Sequence, residues 1–269
     1  MVGKYYVTDA HCHVYLDKIA ALASANTDRF YNVTSSAYHG TVGELLKVKE
    51  ESGIDRFIIQ SVATTPRQVR SINNFISATV KEHNDCMTGL GTLHPDSTDL
   101  RGDVEHILEL GLHGVKLHPD IQQFKIDDYR CLKIYELCEK FSLPILMHTG
   151  DLRYDFSNIN RLIPVMKIYT NLTVVGAHLG SWSNWNDAPE KLVGIPNLYF
   201  DCSSCFHWIE PDKVKEIIDL YGVDRVMFGT DYPMWSYKTE LTKVLEMDFT
   251  EEEFRKLLNE NAAKVYGIK

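Results

Sequence analysis

Apolar residues follow two alternating rhythms along the chain. Short runs rich in β-branched side chains lie at Tyr5–Val14, Arg56–Ala63, Cys86–His94 and His113–Pro119, and again at Pro144–Gly150, Leu172–Gly180, Asn197–Cys205 and Arg225–Pro233. Runs of this length and composition predict buried strands. Between them the spacing turns helical. Over Asp127–Phe141 the residues Cys131, Ile134, Tyr135, Cys138 and Phe141 share one face, and over Pro211–Gly222 so do Val214, Ile217, Ile218 and Tyr221, with proline at the start and glycine at the stop. A helix is also expected over Thr41–Ser52, and Thr250-Glu-Glu-Glu253 reads as a capping box opening the last helix, whose apolar face is Phe254, Leu257, Leu258 and Val265.

Eight strand-then-helix units in 269 residues predict an α/β fold, a single (β/α)8 TIM barrel spanning the chain from 1 to 269. An open doubly wound sheet is the alternative, but the glycine-rich phosphate loop of such a sheet is missing. No linker or low-complexity tract divides the chain. Ala23–Gly40 reads as one long irregular stretch, either a lid or binding loop or a surface excursion.

Composition narrows the function classes. With 44% hydrophobic and 24% charged residues the chain is an ordinary globular one. It holds no apolar run of about eighteen residues, so no membrane span is expected. Polar Asp9 and His11 interrupt any apolar signal core, so the expected location is cytoplasmic. Twenty-eight basic against thirty-seven acidic residues give a net charge of −9, which argues against nucleic acid as a partner. A small-molecule substrate is the expected partner; a homodimer rests on base rates alone. The six cysteines are expected as reduced thiols, and the Cys202–Cys205 pair lacks the second pair that a zinc ribbon needs.

The chemistry lies in where the histidines fall. In a barrel the reactive groups stand at the C-terminal ends of the strands. His11 and His13 end the first candidate strand, Lys116 and His118 the fourth, His148 the fifth, His178 the sixth and Asp231 the eighth. Residues two apart on a strand share a face, so His11 and His13 project together, as do Lys116 and His118. Neutral imidazoles and a carboxylate are what a divalent ion needs, and a metal site is the expectation. A single strand-end histidine is more often structural; five of the eleven histidines at such ends, with an aspartate, argue for a site. His94 and His207 could rim the pocket, whereas His39, His83, His106 and His113 read as solvated. Alternation turns Cys12 away from His11 and His13, and no Gly-x-Ser-x-Gly supports a serine triad.

These pieces together resemble the amidohydrolase superfamily, and more closely its amidohydrolase-related branch, which includes the aminocarboxymuconate-semialdehyde-type decarboxylases. The matching motifs are Asp9-Ala-His-Cys-His13, Gly114-Val-Lys-Leu-His-Pro119, Met147-His-Thr-Gly150, Gly176-Ala-His-Leu-Gly180, Gly229-Thr-Asp-Tyr-Pro233 and Asn261-Ala-Ala-Lys. The resemblance implies that His11, His13, His148 and Asp231 hold one divalent metal ion, zinc first, with manganese, iron or nickel as alternatives. It implies that His178 is catalytic or binds a second metal. Lys116 is left as a carboxylated lysine bridging two metals, a substrate-binding ammonium or a core group, and His118 as a ligand or a substrate contact.

The mechanism expected first is hydrolysis. Metal-activated water, with Asp231 and His178 as catalytic groups, would attack an amide, lactone or ester in a small carboxylate-bearing molecule. Arg153, Lys238 and Lys116 are candidate carboxylate anchors, and Tyr154, Trp182, Trp185, Trp235 and His207 candidate substrate contacts. The alternative is a non-oxidative decarboxylase of a small unsaturated or aromatic acid, with Asp231 protonating the carbon that loses CO2. A barrel that binds without chemistry is a third reading, against which all four ligand positions are filled.

Overall fold

The computed structural model describes residues 4–33 and 36–268. All eight strand candidates form strands: β1 Thr8–His13, β2 Arg56–Gln60, β3 Met87–Gly89 and β4 Gly91–Thr92, β5 Val115–Leu117, β6 Ile145–Met147, β7 Val174–Gly176, β8 Leu198–Asp201 and β9 Val226–Met227. The third candidate is thus one run broken at Leu90, whose N–H still reaches the Ile59 carbonyl at 2.9 Å. Every pairing is parallel, in the orders β1-β2-β3 and β4 through β9. The ends meet where Ala10 N–H donates to Phe228 O at 2.9 Å and His13 N–H to Tyr232 O at 2.7 Å. The fold is a (β/α)8 barrel.

Two apolar layers follow from strand alternation. Ala10, Ile58, Leu90, Leu146, Val175, Tyr199 and Met227 fill the barrel interior, and Ala262 and Tyr266 of the last helix close its foot. A larger layer, including Cys12, Phe57, Ile59, Leu117 and Met147, packs strands against helices. Lys116 is paired in register with Leu146, Leu146 with Val175, and Val175 with Tyr199. Lys116 therefore stands on the interior side of its strand, where the neighbouring strands carry apolar residues, and is 1% exposed. Cys12 faces the outer layer, away from the interior, and all six cysteines are free and buried.

The expectation for Ala23–Gly40 is corrected. A helix, α1, spans Asp17–Tyr31 and ends at Asn32 in the left-handed conformation (φ 55°). The polar run Ser24-Ala25-Asn26-Thr27-Asp28 has poor intrinsic helix propensity, but packing overrides it. Ala20, Ser24 and Tyr31 are buried on one face, and Ser24 Oγ donates to Tyr38 O at 3.2 Å. Thr34 and Ser35, part of the same stretch, lie outside the described residues. The helix after it, α2 (Val42–Ser52), carries a capping box between Thr41 and Glu44, and Thr250 with Glu253 makes the expected one at the last helical segment. The helix α3 spans Val69–Glu82. The expected Asp127–Phe141 and Pro211–Gly222 helices run over Tyr129–Lys140 and Pro211–Tyr221. No helix among the described residues is long and apolar enough to cross a membrane.

Candidate metal centre and active site

A cavity of about 620 Å³ opens at the C-terminal ends of the strands, and His11, His13, Lys116, His118, His148, His178 and Asp231 all line it. Three donors converge there. His11 Nε2 lies 3.3 Å from His13 Nε2 and 3.4 Å from Asp231 Oδ1, and His13 Nε2 lies 3.7 Å from the same oxygen. Donors about 2.0–2.1 Å from a tetrahedral ion stand about 3.3 Å apart, so this set fits a divalent metal.

The surroundings prepare each donor. His11 Nδ1–H donates to Asp201 Oδ2 at 3.0 Å, which leaves the Nε2 lone pair turned to the cavity. Burial holds both His11 and His13 well below the ordinary imidazole range, and the Lys116 ammonium adds to it, so both stay neutral as ligands must be. On the other side, Ser204 Oγ donates to Asp231 Oδ2 at 2.7 Å and Trp235 Nε1–H to Ser204 Oγ at 2.9 Å. One carboxylate oxygen is occupied and the other faces the histidines. Burial raises the Asp231 carboxyl to about 7.

Lys116 Nζ lies 3.0 Å from His11 Nε2, and burial lowers its ammonium to about 8. His178 Nδ1–H donates to Ser203 O at 3.0 Å, so its Nε2 is an acceptor at the cavity's edge, where it meets His148 Nδ1–H. Burial lowers this imidazole to about 3. His148 lines the cavity but stands apart from the three-donor cluster: Nδ1 is 3.2 Å from His178 Nε2, and Nε2 faces Asp120 Oδ2 at 3.7 Å. His118 stacks on His148 with ring centroids 4.1 Å apart. Its Nδ1 accepts from Ile121 N–H, so its Nε2–H donates to Tyr31 Oη at 2.7 Å.

Backbone conformation marks the same residues. His178 (φ 58°), Ser204 (φ 63°) and Asp231 (φ 59°) are all left-handed without being glycine. Such positions cost about 1–3 kcal/mol each and persist where the surroundings enforce them. Gly150 (φ 90°) permits the loop after β6 to touch the loop after β7, since a Cβ there would sit 2.4 Å from Ser181 Cα. The strands' ends are laced by Asp9, which accepts from His11 N–H, Thr230 N–H and Thr230 Oγ–H.

The expected substrate contacts divide. Arg153, Tyr154 and His207 do not line the cavity. The Arg153 guanidinium is bound to Asp151 at 2.7 Å and to Phe30 O at 2.7 Å, and it holds α1 from behind. Tyr154 stacks on Phe30, and His207 pairs with Glu240 at 2.9 Å and stacks on Trp235. Trp182 and Trp235 line a smaller recess beside His178 and Asp231. Trp185 donates Nε1–H to His178 O at 2.9 Å, His94 turns Nδ1 to the Asp96 N–H, and Lys238 is exposed. Sequence reasoning missed Tyr31, hidden in the supposed loop. It also missed Asp201, Ser203 and Ser204, although Asp201 ends β8, the seventh strand candidate, and obeys the same positional rule as Asp231.

A metal-binding barrel of this design has relatives. The amidohydrolase family model matches residues 8–268, and the chain belongs to that family. A curated relative, the 2-amino-3-carboxymuconate-6-semialdehyde decarboxylase of Dictyostelium discoideum, is 24% identical in an alignment that covers 73% of this chain and 66% of that protein. Among solved structures, the 5-carboxyvanillate decarboxylase of Sphingomonas paucimobilis shares the fold with a TM-score of 0.77 at 16% identity, covering 98% of this chain and 99% of that one. The manganese-bound dihydroxybenzoic acid decarboxylase of a Polaromonas species gives a TM-score of 0.75 at 16% identity, covering 98% and 97%. The expectation of a hydrolase is corrected by these relatives. They are named as decarboxylases, enzymes that cleave a carbon–carbon bond, and none of the three as a hydrolase.

Proposed function

We propose that this chain is a metal-dependent non-oxidative decarboxylase of a small unsaturated or aromatic carboxylic acid. The observation that carries the reading is the convergence of His11 Nε2, His13 Nε2 and Asp231 Oδ1 beside the Lys116 ammonium, in a chain whose curated relative is a decarboxylase. His11, His13 and Asp231 hold the ion, with His148 the adjacent donor; manganese, bound by the Polaromonas neighbour, stands beside zinc as its identity. When bound, the ion supplies Lewis acidity toward the substrate's oxygens.

The side chains do the rest. Lys116 pairs with the substrate carboxylate at the cavity floor, and His178 Nε2 accepts from a substrate hydroxyl or amine. The bond from carbon to carboxylate breaks with its electron pair left on the carbon, CO2 departs, and Asp231 relays a proton taken from solvent to that carbon. The apolar walls exclude water from the carboxylate, whose charge is dispersed as the bond breaks. Lys116 is thereby read as a free ammonium.

The test is to load purified protein with manganese or zinc, offer aromatic and unsaturated acids, and follow CO2 release with deuterium incorporation from D2O at the vacated carbon. Stoichiometric CO2 and one deuterium are expected. Cleavage of amides or lactones without CO2 would overturn the reading.

A further inference from the structure

The cavity is charged at one end only. Among the described residues that line it, Lys116 and Asp231 are the only ones of charged type, and both stand at its floor. The wall is built by α1 and α3, with Leu16, Ile19 and Leu22 facing the same space as Ile72 and Phe75. Leu22 is 65% exposed, Ile19 44% and Leu16 41%. Large apolar side chains are thus left open to solvent on a wall continuous with the reacting floor. Asn26, Thr27 and Gln68 add uncharged polarity only. The volume of about 620 Å³ lies within the range that takes a drug-sized ligand and leaves room beyond a single aromatic ring.

We infer that the substrate is a monocarboxylic acid carrying an uncharged apolar substituent of several carbons, which lies against Leu16, Ile19, Leu22, Ile72 and Phe75 while the carboxylate sits at Lys116. The carboxylate end of this assignment rests on the decarboxylase reading; the apolar arm does not. A second carboxylate on the substituent would meet no cation on the described wall and would lose its hydration. An alkyl or aryl group buries surface that both partners otherwise expose to water.

Calorimetric titration of the manganese-loaded protein with benzoate, 4-ethylbenzoate, 4-butylbenzoate and terephthalate tests this. Each added methylene tightens binding about three- to fourfold, and terephthalate binds more weakly than benzoate. Ile19→Asp with Leu22→Asp removes the methylene increment, with bound metal per chain reporting that the site survives. Terephthalate binding more tightly than 4-butylbenzoate, or affinity independent of chain length, overturns the inference. So does a wild-type dimer that Leu22→Asp converts to monomer without any methylene increment, since α1 would then be a subunit contact. The 4-alkylbenzamides separate the two claims. If amides bind as tightly as the acids and keep the increment, the arm stands and the carboxylate reading falls. If acids exceed amides without an increment, the reverse holds.

Discussion

Ser204 Oγ donates to Asp231 Oδ2 at 2.7 Å, and this one hydrogen bond decides which carboxylate oxygen the histidines meet. Trp235 Nε1–H holds the serine in turn at 2.9 Å. Partners of this kind are worth about 10–100-fold in metal affinity. Ser204→Ala is therefore expected to weaken manganese binding by that factor, measured by competition with a chromophoric chelator, while far-UV circular dichroism stays unchanged. Unaltered affinity would mean that Asp231 is aimed by its backbone alone.

His11→Ala and Asp231→Asn remove donors of the cluster. Each should bring bound metal well below one ion per chain and cut CO2 release by about 10²–10⁴-fold. His178→Asn, by contrast, should lose rate and keep the metal. Elemental analysis beside the CO2 assay separates the two outcomes, and full activity in either donor variant would refute the ligand assignment.

Stripping the ion exposes a pH dependence. Burial holds His11, His13, His118 and His148 well below 6.5 and His178 at about 3, so the folded chain keeps all five neutral where the unfolded chain protonates them. Four buried carboxyls oppose this, Asp9 and Asp120 at about 6, Asp231 at about 7 and Glu240 raised by burial, because they take up protons in the folded state first. The imidazoles outnumber them. Near pH 5.5 the unfolded chain therefore binds more protons, so stability falls as the pH drops below 6.5, each net proton costing about 1.4 kcal/mol per pH unit. Thermal melts of chelator-treated protein at pH 7.0, 6.0 and 5.5 check this; a Tm that holds steady or rises would contradict the neutral assignment. Manganese at a hundredfold excess over its Kd should add about 2.7 kcal/mol at pH 7.

Tyr31 ties α1 to the floor of the cavity through His118. Tyr31→Phe removes one hydrogen bond, about 1 kcal/mol, from the contact that closes the helix over the site. KM is expected to rise several-fold with kcat nearly unchanged. An equal loss in both would place the hydroxyl in the reaction itself.

The strands were legible because β-branched runs and their histidine-bearing ends repeat about every thirty residues, and the barrel and its seven cavity-lining candidates followed. What the sequence hid were effects of packing. Ser24-Ala25-Asn26-Thr27-Asp28 looks like a loop until Ala20 and Tyr31 are seen buried beneath it. Arg153 looks like an anion anchor, yet Asp151 two residues earlier already engages its guanidinium. Hydrolysis and decarboxylation were inseparable because the reactions share ligands; what differs is the bond presented to them, and loop side chains do not spell that out.

Asp9 joins the first strand to Thr230 beyond the last, and the converging donors are drawn from both sides of that seam. During synthesis the ribosome delivers His11 and His13 more than two hundred residues before Asp231. A nascent chain therefore cannot close this donor set until its final strand emerges. Metal loading through this set would in this way be a late event, and a product terminated before Asp231 lacks the carboxylate that completes it.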